Sequence, residues 1–271
     1  MCRVLNVTES GYYKWRKQPP SKREQENMQL LKRIKEIHEL TDQTYGSPRI
    51  TDAVREEGFI VSRARVARLM RKHDIKAQTK RKFKVTTDSY HNYPISPNRL
   101  DRDFSADCFG AVWTSDITYI RTGEGWLYLT VVMDLFNREI VGWAMSNSLR
   151  ASETTIPALG AACMKNCPLP GLIFHSDRGV QYACENFREL LSENKMLQSM
   201  SGKGDCYDNA VTESFFATLK KELVYRRRYK TRWQARQSIF KYIETFYNRI
   251  RKHSTLGNMS PVQFKKSRKA A

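Results

Sequence analysis

The sequence predicts an α/β protein: a mixed-sheet core flanked by an N-terminal all-α helix-turn-helix region and a basic C-terminal helical arm. Three observations predict it. Runs of β-branched and aromatic residues gather in the central part of the chain, where strands are expected. Helical periodicity dominates on either side. The charge divides in the same way. Residues 1–100 carry 22 Lys and Arg against 11 Asp and Glu, residues 101–213 carry 9 against 15, and residues 214–271 carry 16 against 2. An acidic centre therefore lies between two basic arms, which suit a polyanionic partner because each neutralised phosphate releases counterions. An acidic centre would repel that partner unless cations bridge the two.

The expected organisation has five parts. Residues 1–20 form a short basic and aromatic segment closed by Pro19-Pro20, and residues 21–76 a helical DNA-binding region. In the second, Met28, Leu31, Ile34, Ile37 and Leu40 recur at helical spacing from Glu24. Tyr45-Gly46-Ser47-Pro48 opens a second helix, which Gly58 is placed to cap. Ser62 is an N-cap for a third, with Val66, Leu69 and Met70 facing the core. Two short helices across a glycine-containing turn read as helix-turn-helix. Arg49, Arg63, Arg65 and Arg68 are its candidate DNA contacts. Residues 77–104 read as a linker, basic at first and then interrupted by Pro94 and Pro97.

Residues 105–225 form the expected core. Val112–Ile120, Trp126–Met133 and Glu139–Met145 are three strands in quick succession, hence an antiparallel meander. A helix over about 152–165, a strand at Leu172–His175, a helix over 183–194, a strand near Leu197 and a helix from Asp208 follow. That order is the one found in ribonuclease-H-like domains. In the last part, residues 226–271, Trp233, Ile239, Ile243 and Phe246 mark an amphipathic helix. Arg226, Arg227 and Arg228 precede it and are candidate backbone contacts to DNA.

Several classes are excluded. No run approaches the ~20 apolar residues of a bilayer span, and the start lacks the apolar segment of a secretory signal, so a cytoplasmic, nucleoid-associated protein is expected. Six scattered cysteines suit reduced thiols. Cys163 and Cys167 lack a second ligand pair at zinc spacing and read as two core thiols on a helix. Ser201-Gly202-Lys203-Gly204-Asp205-Cys206 has two glycines but no phosphate-loop pattern. It reads as a loop beside the site, with Lys203 a candidate DNA contact.

Three carboxylates stand out by position: Asp116 within the first strand, Asp177 directly after the fourth, and Glu213 on the helix that follows. On that helix Val211, Phe215, Leu219 and Leu223 make one stripe, while Asn209, Glu213, Phe216 and Lys220 fall on another. A carboxylate for metal and an ammonium for phosphate on one face suit phosphoryl transfer. By residue type alone, a turn Asp, a strand-end Asp and a solvated Glu remain open.

Longer blocks sharpen the reading. Trp113-Thr114-Ser115-Asp116-Ile117-Thr118-Tyr119, then His175-Ser176-Asp177-Arg178-Gly179-Val180-Gln181-Tyr182, then Asp208-Asn209-Ala210 with Glu213-Ser214-Phe215-Phe216 and Leu219-Lys220 follow one another. Together they resemble the signature blocks of the bacterial insertion-sequence transposases, in particular the second-reading-frame product (OrfB) with its retroviral-integrase-like core. The 35 residues between Asp177 and Glu213 match the spacing that names the DD(35)E group. Tyr45–Ile50 and the block from Tyr247-Asn248 through Arg251, His253 and Leu256-Gly257 to Ser260-Pro261 resemble the family's flanking blocks.

The resemblance implies a DDE-type transposase in which Asp116, Asp177 and Glu213 bind two Mg²⁺ ions, replaceable by Mn²⁺. It implies cleavage at transposon ends and transfer of the freed 3′-hydroxyl to another phosphodiester. Lys220, Asn209 and Arg178 are then expected near the DNA, and His175 either supports Asp177 or packs. Implied partners are double-stranded DNA (terminal inverted repeats and target), further copies of the chain on that DNA, and a first-reading-frame (OrfA) segment, fused or separate. No membrane partner is expected.

Overall fold

The computed structural model describes residues 2, 7–78, 93–101, 103, 105–202 and 209–269. It divides into two compact units, Met1–Gln78 and Thr79–Ala271. The basic Lys80-Arg81-Lys82 and the loop residues Lys203 to Asp208 lie outside the described residues.

The first unit is helical. After α1 (Glu9–Lys17), which buries no residue, come α2 (Lys22–Leu40), α3 (Ser47–Glu56) and α4 (Arg63–Lys72). Thr8, Ser21 and Ser62 each accept a backbone N–H as N-caps. Leu30, Ile34, Ile37, Tyr45, Ile50, Val54, Val66, Leu69 and Met70 form its core. The buried face of α2 is not the expected one: Met28 and Leu40 are exposed, and Leu30 and His38 are buried instead. The expected spacing and the observed one share Ile34 and Ile37, and packing against α3 and α4 selects between them. Gly58, at φ +91°, turns the chain after α3 where a Cβ would be strained, and Phe59 N donates to Val54 O.

The second unit is built on five strands: β1 (Val112–Thr122), β2 (Gly125–Asp134), β3 (Ile140–Ser146), β4 (Ile173–Ser176) and β5 (Leu197–Met200), in the order β3-β2-β1-β4-β5. β1, β2 and β3 are an antiparallel meander, while β4 and β5 run parallel to β1. This is the ribonuclease-H-like arrangement, in the order expected from the sequence. α5 (Thr155–Asn166), α6 (Val180–Ala183) and α7 (Glu185–Glu193) cover one face. Trp113, Val132, Val141, Phe174, Tyr182 and Phe187 are buried there. α5 sits directly on β3, since a Cβ at Gly142 would lie 2.4 Å from Ala158 O. Cys163 packs beside that core, but Cys167 is exposed at the α5 C-cap in the left-handed conformation, so only one of the two thiols reaches the core.

The other face carries α8 (Ala210–Glu222), α9 (Arg232–Lys241) and a π-helical turn (Tyr242–Tyr247), and α10 (Pro261–Lys269) follows, with Phe264 against Phe136 and Lys265 on Glu139. Ile120, Leu127, Leu129, Val131, Phe215, Phe216, Leu219, Tyr229, Ile239, Ile243 and Tyr247 make one continuous core. Two expectations change here. Phe216 is buried with Phe215, because α8 is covered by the sheet and by the C-terminal helices at once. Trp233 is 68 % exposed, so the apolar stripe of α9 begins at Ala235 and not at Trp233.

The C-terminal segment is therefore part of the core and closes its edge. Asn248 accepts from Ile140 N at 2.9 Å and donates to Ile140 O at 3.0 Å, pairing backbone groups at the start of the edge strand β3. Arg251 is buried and donates to both Glu222 oxygens at 2.9 Å, and Tyr242 Oη donates to Glu222 at 2.7 Å. On the opposite edge, within the stretch read as a linker, Ser96 Oγ donates to Gln198 at 2.8 Å and Arg99 N to Ser199 Oγ at 2.9 Å.

Candidate active site

The site is set by the parallel register of β1 and β4. Thr114 is level with His175, so two residues further along Asp116 and Asp177 come level where β4 ends and β1 continues. Carboxylates at strand carboxyl ends lie where α/β sheets commonly take ligands. Asp116 Oδ1 accepts from Ile117 N at 2.7 Å, and Asp177 Oδ1 accepts from Gly179 N at 2.9 Å. Each carboxylate is thus held at Oδ1 by the turn of chain that follows it.

Two bonds dock α8 against this point. Thr114 Oγ1 and Thr212 Oγ1 lie 2.8 Å apart, and Asn209 Nδ2 donates to Ser115 O at 3.2 Å. Asn209 is buried, and its Oδ1 is a buried acceptor with no hydrogen-bond partner among the described residues. From that anchoring Glu213 projects exposed, one residue beyond Thr212, and Lys220 follows two turns along, half-buried. On the opposite side of β1, Ser115 Oγ and Tyr182 Oη are 2.8 Å apart, tying the strand to α6. His175 is buried with Nδ1 2.9 Å from Ser199 Oγ, which links β4 to β5.

Electrostatics register the convergence. Asp116 keeps part of its surface open, yet burial raises its pKa well above the usual carboxylate value. Asp177 and Glu213 raise it further, while the Ile117 N–H and Lys220 act against the rise. Desolvation also raises Glu213, and it lowers Lys220 against the pull of Asp116. Three carboxylates and one ammonium therefore influence one another around a point that is short of positive charge.

A divalent cation fits that donor set. The ligands are hard oxygens, they are few, and like charge destabilises them when no cation balances it. Among the described residues no three His, Cys, Asp or Glu side chains already stand in a ready metal-holding group. Asp116, Asp177 and Glu213 are the residues that would hold one.

The remaining predicted contacts divide by what already engages them. Arg178 Nε donates to Ser201 O at 2.6 Å, so it braces the loop after β5. Arg65 donates to Asn27 and Glu26 at 2.9 Å, joining α4 to α2. Arg49 lies over the Tyr45 ring, 5.4 Å from its centroid. Arg226 donates to Glu222 O and Arg227 to Ser238 Oγ. Arg63, Arg68 and Arg228 are exposed. Ser115, Thr114 and Thr212 escaped the sequence reading as positioning residues. Strand parity was the available signal, since Ser115 and Asp116 must face opposite sides.

Comparison with known proteins gives the family. A profile described as HTH-like domain matches residues 24–83, and profiles described as Integrase core domain match residues 106–206 and 213–268. The class is thus an integrase-core protein with a helix-turn-helix-like domain before the core. An uncharacterized 31 kDa protein of insertion element IS600 from Shigella sonnei is 44% identical over 265 residues, covering 98% of this chain and 97% of that protein. The transposase InsF for insertion sequence IS3A of Escherichia coli (strain K12) is 40% identical over 266 residues, covering 97% and 92%. The chain belongs to this family of insertion-sequence transposases. Among solved structures, the HTLV-2 integrase catalytic core domain in complex with magnesium aligns with TM-score 0.45 and 16% identity, covering 58% of this chain and 96% of that one.

Proposed function

We propose that the chain is a DDE-type DNA transposase, with Asp116, Asp177 and Glu213 as its catalytic, metal-binding carboxylates. The observation that carries this is the meeting of strand register and helix docking. Asp116 and Asp177 lie level at the end of β4, and Thr212 docks α8 on Thr114 so that Glu213 acts on the Asp116 carboxyl. Membership of a family that includes a named transposase supports DNA transposition as the process served.

Bound Mg²⁺, two ions in the full reading, would activate an attacking oxygen and stabilise the leaving one in an in-line displacement. The chain's own groups do the rest. Asp116 and Asp177 would present carboxylates oriented at Oδ1 by Ile117 N and Gly179 N. Lys220 supplies an ammonium toward a non-bridging phosphate oxygen. Asn209 holds the α8 N-terminus on β1.

In the first step the oxygen of water bonds to phosphorus and the bond to the 3′-oxygen breaks, giving a 3′-hydroxyl and a 5′-phosphate. In the second that hydroxyl attacks another phosphodiester and releases its 3′-oxygen. The helix-turn-helix residues Arg63 and Arg68, the exposed Arg228 and Lys203 of the loop would hold the duplex backbone. Two ends must be joined together, so a multimer on DNA is expected, with an OrfA segment adding end recognition.

The test is cleavage and joining of labelled insertion-element end DNA by wild type and Glu213→Gln, in Mg²⁺ and in EDTA. Mg²⁺-dependent cutting by wild type, with a loss of about a thousandfold or more in the variant and retained DNA binding, is expected. Equal cutting by the variant would remove Glu213 from the site. Binding without cutting in any metal, with OrfA present, would favour a non-catalytic DNA-binding protein.

A further inference from the structure

The turn before α4 holds one isoleucine wholly outside the helical unit. Ile60 is 99 % exposed, more than any other large apolar side chain among the described residues. The chain on both sides of it is tied down. Gly58 turns the chain out of α3, Phe59 N donates to Val54 O, and Arg55 Nε donates to Val61 O at 2.9 Å. Ser62 then caps α4 by accepting from Arg65 N. Phe59 and Val61 are half-buried, so the in-out alternation of this stretch leaves Ile60 facing away. A β-branched side chain has few rotamers. Ile60 is therefore a short, stiff apolar tooth two residues ahead of the N-cap of α4.

The charge around the tooth identifies what covers it. Residues 58–73 carry five Lys and Arg and no Asp or Glu. Arg65 is engaged within the fold by Asn27 and Glu26. Arg63, Arg68, Arg71 and Lys72 stay exposed, while Val66, Leu69 and Met70 face the core. At about 100° per residue, Arg68 and Arg71 share the outer side of α4 and Arg63 stands on its flank. A helix with that balance suits a polyanion, and the DNA major groove is wide enough to admit one. The second helix of such a pair presents its N-terminal residues to base edges. Ile60 lies at that end.

An isoleucine offers nothing to a phosphate. On the floor of the major groove the apolar group is the C5-methyl of thymine, and the other edges are donors and acceptors that lose water opposite a hydrocarbon.

We propose that Ile60 is a sequence-reading contact that packs on the C5-methyl of a thymine in the insertion-element end, with Arg63 and Arg68 on the phosphates of the groove walls. The proposal rests on the reading of the helix-turn-helix unit as DNA-binding, and it does not depend on the carboxylate site. Arg65 is then a strut that sets the angle of α4 and not a contact to DNA. Specificity at this base comes from one methyl group on each side.

The experiment measures binding of the full chain to duplex end DNA in EDTA, where binding is read apart from cutting. Thymines are replaced by deoxyuridine, which lacks only the C5-methyl, first all together and then one at a time. Wild type should lose about fourfold in affinity at one or two thymines, the worth of one buried methyl, and nothing at the rest. Ile60→Ser should bind the thymine duplex about fourfold more weakly and lose nothing further at those positions. Its thermal unfolding should match wild type, because the side chain touches no core. Arg63→Ala should weaken binding equally on thymine and uridine duplexes.

Binding that is indifferent to every uridine, or a uridine penalty that persists in Ile60→Ser, overturns the methyl contact and leaves DNA binding by the unit standing. Absence of any salt-sensitive binding by wild type would overturn that DNA-binding reading, and Ile60 with it.

Discussion

The two ends of α8 carry glutamates in opposite circumstances. Near its start Glu213 is exposed, its pKa is raised by desolvation, and it adds to the repulsion on Asp116. At its end Glu222 accepts from Arg251 and Tyr242 and takes part in a buried ion pair. Burial pushes Arg251 toward losing its proton, yet the bonds to Glu222 more than reverse this and raise it. One carboxylate is satisfied by the chain itself. The other is left short of positive charge beside two more of its kind. One helix thus serves as a strut at one end and offers the proposed metal ligand at the other, and the difference lies in what faces each residue.

The comparison breaks most directly at the satisfied end. Arg251→Met strands a buried carboxylate and should cost about 3–5 kcal/mol of stability. The drop would show as a fall in urea midpoint, whereas Glu213→Gln should leave that midpoint unchanged or raised. A midpoint unaffected by Arg251→Met would mean that the pair is not structural.

Asp134 sharpens the same contrast. It is fully buried and accepts from Gly110 N, Trp113 Nε1 and Phe136 N, yet burial outweighs those bonds and raises its pKa to about 6. A folded pKa above the unfolded value of 3.8 means that the fold favours the protonated form. That contribution is complete below the unfolded pKa and is lost as pH rises through about 6. Wild type should therefore lose at most about 3 kcal/mol relative to Asp134→Asn between pH 4 and pH 6, with no further divergence above. Parallel stability curves for the two proteins across that window would refute the assignment.

Smaller effects are expected where arginines are solvated. Arg63→Ala with Arg68→Ala should weaken DNA binding uniformly across sequences and reduce the salt slope by about 2. Lys220→Ala should reduce the slope by about 1 and slow cutting more than it weakens binding. Loss of binding with an unchanged slope would mean that these residues shape the fold and do not contact phosphates.

Much of this was legible in the residues. The strand order followed from β-branched runs and turns, and Ser62 and Gly58 marked helix ends by their chemistry. The candidate site was legible because its three blocks are local in sequence. The helices of the C-terminal region were legible, but its packing was not, because counting charge does not distinguish a solvated arginine from Arg251, which is buried on Glu222, or from Arg236, which donates to Met145 O. The distinction depends on partners far along the chain. Helical spacing was ambiguous for a similar reason, since Met28 and Leu30 both fit a stripe with Ile34 and only packing chooses.

The clasp of Asn248 on Ile140 has a consequence for how the protein is made. Ile140, at the start of the edge strand, takes its partner from Asn248, 108 residues further along, so the clasp cannot form until Asn248 has been made. Until then the backbone N–H and C=O of Ile140 lack this partner at an open sheet edge. A gene copy cut before Asn248 would still encode Asp116, Asp177 and Glu213, but its product would lack both this clasp and the Arg251–Glu222 pair.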